Sequence, residues 1–552
     1  MKADEWLKGL ANLSLEDANR QLQDCCGIVG FLNDTEEIYE LTQELPDQKE
    51  KEEYGDWQTN YALALSVCRL LKNKGISPQI IIEPTCGKGT FLMAATEVFD
   101  GIECMYGVEI YKPYLNALKM QVLENALNGK KLPRRMELFH SNVFDFDFQS
   151  IKKTHKDRRM LVLGNPPWIT NSKLGSIKSS NLPKKSNFKH QKGIEAITGK
   201  GNFDIAEYIC NMMIQTFSST NGNLAFLIKN SVVKSLLQRQ RIANDNICSL
   251  EQYNIDADKE FGVAVASSLL LMEFGLPSTF ECKVYDFYTK TSEKTYGWVN
   301  DKFVADTEAY KKWQAFDNQS QLEWWSGLKH DCSKVMELTK NAEGQYTNAL
   351  GEIVDIEDEM IYPLAKSSDI SSGNVTHTKK YVIVTQHSPS ESTDFISHRF
   401  PKTFAYLMRH ADLLDKRGSV IYKKRPRFAM FGIGDYSFKN YKVAISALYK
   451  KPHFSLVEPV NGRPVMLDDT CYLTGFDSKD EAQTVLYLLN HDTTQVFLKT
   501  LIFSDAKRVI SKELLMRIDI AKVSHTLSGE NSSAAKYTQN LLKRKPRQLE
   551  LF

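Results

Sequence analysis

Paired cysteines, long apolar runs and net charge are all scarce in this sequence. Its ten cysteines (Cys25, Cys26, Cys68, Cys86, Cys104, Cys210, Cys248, Cys282, Cys332 and Cys471) form no C-x-x-C pair, and no histidine stands at zinc-ligand spacing. Buried free thiols are therefore expected, with no disulfide and no metal site. No segment nears the roughly 20 consecutive apolar residues that would span a bilayer. The opening residues MKADEWLKGL lack an apolar signal core, so no export and a cytoplasmic location are expected. A formal net charge of +2 over 552 residues points to no partner by itself.

The distribution of charge says more. Residues 1–53 hold fourteen Asp/Glu against five Lys/Arg, which predicts an acidic, mostly helical N-terminal extension. Residues 171–200 hold seven lysines against one acid, Glu195. Residues 416–454 hold ten Lys/Arg against one acid, Asp435, interleaved with eight aromatic residues. Two basic stretches in a near-neutral chain suit a phosphate-binding cleft, whereas a solvated lysine-rich loop would read the same way.

Hydrophobic patterning predicts an α/β region over residues 54–280. The dense apolar run YALALSVCRLL at 61–71 reads as a helix packed against something large. Ile80-Ile81-Ile82, ended by Glu83-Pro84, reads as a buried strand, and a helix starts near Thr90. Strands are expected again at 105–110, 137–140, 160–163, 224–228 and 267–272, with helices at 113–127 and 204–217. Such alternation builds a mostly parallel sheet with helices on both faces, whose ligands sit at the carboxyl ends of the strands. The rhythm fades after about residue 280. A mixed α+β domain is expected over 281–525, followed by a mobile basic tail over 526–552.

The first strand end reads E-P-T-C-G-K-G-T. Gly87 and Gly89 let backbone approach a ligand, and Glu83 can accept hydrogen bonds from it. The third glycine of a dinucleotide fingerprint is missing, and Gly87-Lys88-Gly89 has the wrong order for a P-loop. Glu109 ends the second strand, where an acid can take both hydroxyls of a ribose. Asn165-Pro166-Pro167-Trp168 follows a buried strand. Its prolines hold the Pro166 carbonyl and the Asn165 side chain towards one point. Two such acceptors, gripping the hydrogens of an adenine amino group, return electron density to a nitrogen whose lone pair is otherwise delocalised. That nitrogen can then attack a sulfonium methyl in line, a displacement that needs positioning more than a strong base. Trp168 offers a face for the base.

With these motifs the chain resembles the gamma-class adenine-N6 DNA methyltransferases, in which the cofactor motif precedes N-P-P-[YFW] and target recognition lies C-terminal. The resemblance covers roughly residues 54–275 for catalysis and, more loosely, 320–510 for recognition. It implies a Rossmann-like methyltransferase sheet, S-adenosyl-L-methionine as cofactor and double-stranded DNA as partner. Asn165, Pro166, Pro167 and Trp168 are implied to be catalytic. Thr59 (within 54–59), Glu83, Pro84, Gly87, Gly89, Glu109, Asn142 and Phe144 are implied to hold the cofactor. At the third motif the family often has an acid. Here the position is Asn142 or, with a slip of register, Asp145.

Phe261, in E-F-G-V-A-V, matches the family's aromatic that stacks on the flipped base opposite Trp168. Flipping is required because a paired base hides its amino group. Lys184 and Lys185 would contact DNA after the catalytic motif. Lys423, Lys424, Arg425, Arg427, Tyr436 and Lys442 would do so from a run similar to F-G-x-G-x-Y-x-F/Y-K in recognition domains. The resemblance also implies a restriction–modification or related defence role, with a separate cognate endonuclease as a partner. Methylation of RNA or of a protein glutamine amide is the alternative for the same motif. A fused restriction enzyme is a further alternative, but no E-x-K follows Pro46-Asp47 before Glu109.

Overall fold

The computed structural model describes residues 2–41, 59–170, 204–373, 375–422, 425–506, 508–527 and 536–537. It divides into two compact units, Met1–Phe303 and Val304–Phe552. No described helix is long and apolar enough to cross a membrane.

The first unit is built on one sheet. Its strands are β1 (Ile28–Val29), β2 (Ile80–Glu83), β3 (Cys104–Glu109), β4 (Met136–His140), β5 (Met160–Gly164), β6 (Gly222–Lys229), β7 (Ile247–Ile255), β8 (Ser267–Phe274), β9 (Glu281–Asp286), β10 (Ser292–Val299) and β11 (Lys302–Val304). The spatial order is β1-β4-β3-β2-β5-β6-β8-β7-β9-β10-β11. From β1 to β6 every pairing is parallel, and β8 then runs antiparallel between β6 and β7. Every residue of β2, β3 and β5 is buried. Their near-continuous apolar runs are what a sheet covered on both faces requires.

The helices of this unit are α1 (Ala3–Lys8), α2 (Leu15–Cys26), α3 (Glu37–Leu41), α4 (Tyr61–Asn73), α5 (Thr90–Val98), α6 (Lys112–Leu127), α7 (Phe148–Thr154), α8 (Ile205–Phe217), α9 (Asn230–Ala243) and α10 (Ala257–Phe261). Capping fixes several starts: Asn60 accepts from Leu63 N at the head of α4, and Asp204 accepts from Ala206 N at the head of α8. The acidic N-terminus is mostly helical over its described part, yet it also adds β1 to the sheet beside β4.

The division expected after residue 280 lies at 303/304 in the structure. β9 pairs with β7 and β10 with β9, so this hairpin extends the first unit's sheet. The second unit is a mixed domain of β12 (Trp325–Ser326), β13 (Glu337–Lys340), β14 (Tyr346–Asn348), β15 (Ile361–Ala365), β16 (Lys380–Ile383), β17 (Tyr441–Ser446), β18 (Phe454–Val457), β19 (Met466–Leu467) and β20 (Cys471–Phe476), with helices between them. These form two sheets, β12-β20-β17-β18 and β14-β13-β16-β15-β19. One core gathers Leu338, Leu364, Val382, Leu407 and Phe428; another gathers Ala444, Val457, Leu467 and Leu473.

Candidate active site

A cleft opens at the carboxyl ends of β2 to β5, where this topology places ligands. Thr59, Glu83, Pro84, Gly87, Glu109, Asn142 and Phe144 line it, as do all four residues of the Asn165-Pro166-Pro167-Trp168 motif. Eleven of the expected residues thus come from five separate segments to one place. Thr85, Thr90, Ile110, Tyr111 and Tyr114 also line it. Sequence reasoning did not single these out, although Ile110 and Tyr111 directly follow the acid that ends β3.

The β2–α5 turn shapes one wall. Gly87 has φ 53° and Gly89 φ 74°, left-handed conformations that suit glycine. Gly89 does not line the cleft, in contrast to its expected cofactor contact. A Cβ there would lie 2.2 Å from Leu118 Cδ1, so its task is to let α6 pack on the turn. Glu109 closes the turn: Oε2 accepts from Gly87 N at 2.8 Å and Oε1 from Tyr111 N at 2.8 Å.

Glu83 is 3% exposed. Its carboxylate lies beside the backbone N–H of Leu92, in the first turn of α5. Oε2 is buried with no hydrogen-bond partner, and so is the nearby Thr85 Oγ1. Burial, with a smaller contribution from the Glu109 charge, holds the Glu83 carboxyl well above the usual range. A buried acid with an unsatisfied oxygen beside a cleft calls for a cationic or hydrogen-bonding ligand.

At the third strand end, Asn142 lines the cleft and Asp145 does not; Asp145 is exposed. Asn142 Oδ1 accepts from Phe144 N at 3.0 Å, an Asx turn that sets both side chains. Phe144 in turn meets Tyr208 of α8 edge to face at 5.5 Å.

At the end of β5, the strand paired with β2, Asn165 Nδ2 donates to Thr59 Oγ1 at 3.2 Å, which orients the amide. Trp168 is buried and its Nε1 donates to Leu227 O at 3.2 Å. Phe261, the last residue of α10, meets the Trp168 ring edge to face with centroids 5.1 Å apart. Its neighbour Glu260 accepts from Asn60 Nδ2 and Tyr288 OH, both at 3.0 Å. The short α10 is thereby tethered to the residue after Thr59.

Of the expected DNA contacts, Lys184, Lys185, Lys423 and Lys424 lie outside the described residues. The others lie in the second unit. Arg427 makes a bidentate pair with Asp415, Nη2 to Oδ2 at 2.6 Å and Nε to Oδ1 at 3.1 Å. Arg425 donates to Pro389 O at 3.2 Å. Tyr436 stacks on Trp325 with centroids 4.7 Å apart and planes 4° apart. Lys442 does not fit a phosphate contact: it is fully buried, and its Nζ donates to Lys439 O at 2.5 Å. Desolvation pulls its ammonium down to about 7. β17 lies between β20 and β18 and is buried from Lys442 to Ser446, so this lysine has no solvent-facing side to point to. Gly432, in the F-G-I-G segment, has φ 64°, and a Cβ there would lie 2.1 Å from Gly327 O. Close backbone packing explains that glycine.

No protein-family model matches the chain. The type II methyltransferase M.NspV of Nostoc sp. (strain ATCC 29411 / PCC 7524) is 39% identical over 475 residues, which span 86% of this chain and 97% of that protein. Among solved structures, the type IIL restriction–modification enzyme MmeI in complex with DNA matches with a TM-score of 0.52 at 13% identity. That match covers 89% of this chain and 72% of the other. At such identity it speaks for the fold alone, which is the expected Rossmann-like methyltransferase architecture.

Proposed function

Because the chain belongs to the type II methyltransferases, we propose that it transfers a methyl group from S-adenosyl-L-methionine to the N6 amino group of an adenine flipped out of double-stranded DNA. The observation that carries the proposal is the convergence of the Asn165-Pro166-Pro167-Trp168 motif and the unsatisfied Glu83 carboxylate on one cleft.

The residues fit the cofactor. Glu83 Oε2 and Thr85 Oγ1 are buried acceptors awaiting a partner, and a positively charged ligand suits a buried acid. Glu109, held at the end of β3 by Gly87 N and Tyr111 N, is placed where an acid would meet ribose hydroxyls. When bound, the cofactor supplies an electrophilic methyl on a sulfonium. Asn165 and the Pro166 carbonyl then grip the adenine amino hydrogens, and Thr59 fixes the Asn165 amide so that its carbonyl points consistently. Trp168 and Phe261 supply the aromatic surface that exchanges stacking in the duplex for stacking in the protein. The proposed role belongs to a restriction–modification or related defence system.

The test is transfer from labelled S-adenosyl-L-methionine to unmethylated bacterial DNA, ribosomal RNA and a peptide release factor, with Asn165→Ala alongside. Label recovered as N6-methyladenine, and lost in the variant, is the expected result. Label in RNA or protein would overturn the substrate.

A further inference from the structure

We infer that Lys229 and Asp204 form a buried clasp that positions the Asn165-Pro166-Pro167-Trp168 loop for methyl transfer. Lys229, the last residue of β6, lies 2.6 Å from Asp204 Oδ2 and 3.3 Å from the Trp168 carbonyl oxygen. It is thus a positioning residue that acts through the loop.

Both partners are largely shielded, with side chains 20% and 11% exposed. Burying an ion pair is costly, and an apolar pair of similar size often packs as stably. The pair therefore calls for an account beyond stability, and its contacts supply one. Asp204 divides its carboxylate: Oδ2 takes Lys229, and Oδ1 caps α8 by accepting from Ala206 N at 3.0 Å. The backbone of Asp204 forms an antiparallel bridge with Thr170, and Ile205 N donates to Ile169 O at 2.8 Å. Trp168 is held from β6 as well, through Nε1 to Leu227 O.

The limb of chain leaving the motif is accordingly tied to α8 by backbone and to β6 by two side-chain bonds. Lys229 joins those two supports, because one ammonium touches both the motif and the helix cap. Without it, Trp168 keeps its indole bond but loses the contact that sets its carbonyl, two residues beyond Pro166. A displacement on the order of 1 Å at an acceptor that must meet an amino hydrogen can cost about 100-fold in rate.

The inference rests on the reading of the motif given above. The experiment compares wild type, Lys229→Arg and the charge-balanced double variant Lys229→Met/Asp204→Asn. The double variant avoids stranding one buried charge. Melting temperature, affinity for S-adenosylhomocysteine, and the single-turnover rate and KM for methyl transfer to unmethylated bacterial DNA are measured on each.

The double variant is expected to stay folded and bind S-adenosylhomocysteine as wild type does. Its single-turnover rate should fall roughly 10- to 100-fold with little change in KM, while Lys229→Arg restores most of that rate. A double variant that transfers methyl at the wild-type rate would overturn the clasp. So would one whose rate and S-adenosylhomocysteine affinity fall together with its melting temperature. The identity of the methylated base tests the adenine reading separately. Label on another base would sink that reading, while the rate ratio would still decide the clasp.

Discussion

Trp168 and Phe261 touch edge to face, ring centroids 5.1 Å apart. A base stacked on both would need to part them. Trp168 is fixed by Leu227 O and by packing, whereas Phe261 ends a five-residue helix whose C-cap Gly262 is left-handed at φ 68°. Phe261 is therefore the member that yields. Phe261→Ala is expected to lower kcat/KM for DNA by roughly 10- to 100-fold, the worth of one base–aromatic stack at about 1–3 kcal/mol. Cofactor affinity should not change. Steady-state kinetics with calorimetric cofactor binding checks this, and unchanged kcat/KM would remove Phe261 from the base site.

Glu83 sets a pH dependence. Burial raises its carboxyl above the ordinary range in the free protein, and a cationic ligand would lower it again. Between those two values the free protein holds a proton that the complex releases. Affinity for S-adenosyl-L-methionine should therefore rise with pH through that window and level off above it. Calorimetry in buffers of different ionisation heat should register proton release within the window. Glu83→Gln should abolish the release and weaken binding by about 1.5–3 kcal/mol, the loss of a charge-assisted hydrogen bond. Binding by Glu83→Gln with wild-type affinity would exclude Glu83 from the cofactor site.

How much of this was legible in the sequence depends on where each residue found its partner. Ile80-Ile81-Ile82 announces a buried strand because β-branched residues are self-sufficient in a covered sheet, and β2 runs over Ile80–Glu83. β7, I-C-S-L-E-Q-Y-N-I, gives no such notice. Its Glu251 pairs with Lys74 at 2.7 Å and its Gln252 accepts from Tyr296 OH at 2.8 Å, partners 177 and 44 residues away. Those long-range bonds make a polar segment an interior strand. The glycines divide similarly. Gly87 lines the cleft, while Gly89 answers to Leu118, a packing contact that spacing cannot reveal. The second unit yields least. A lysine reads as solvent-facing until its strand's neighbours are seen, and Lys442, in the interior strand β17, is the case in point.

Lys442 also provides a stability test. Its ammonium is pulled from 10.5 to about 7 by desolvation. Below about 7 both folded and unfolded chains carry the proton, and the folded one bears a buried charge. Between about 7 and 10.5 the unfolded chain binds the proton and the folded one does not, so stability rises with pH across that window. Lys442→Met should stabilise the protein by about 1–4 kcal/mol at pH 6, with the gain shrinking towards pH 10. Denaturant melts at several pH values read this directly. A pH-independent difference would show that the charge is not the cause.

The basic stretch over 416–454 divides into engaged and available cations. Arg427 is committed to Asp415, Lys439 to Asp477 at 2.6 Å, and Arg417 donates to the carbonyl oxygens of Leu414, Arg427 and Ala429 at 2.7 Å each. Lys450 and Lys451, between β17 and β18, are exposed, and no carboxylate faces them among the described residues. A cation already neutralised by an acid displaces few counterions when it meets a phosphate, whereas a free one releases close to one. Lys450→Gln/Lys451→Gln should thus flatten the plot of log affinity for DNA against log salt by about 1–2 units. Arg427→Gln should leave that slope nearly unchanged and cost little stability, as befits a half-exposed pair. Fluorescence anisotropy with one duplex over a range of salt concentrations separates the two outcomes. If Arg427→Gln carries the larger slope change, Asp415 releases its partner on binding, and the phosphate track runs through the Arg427 loop rather than the β17–β18 connection.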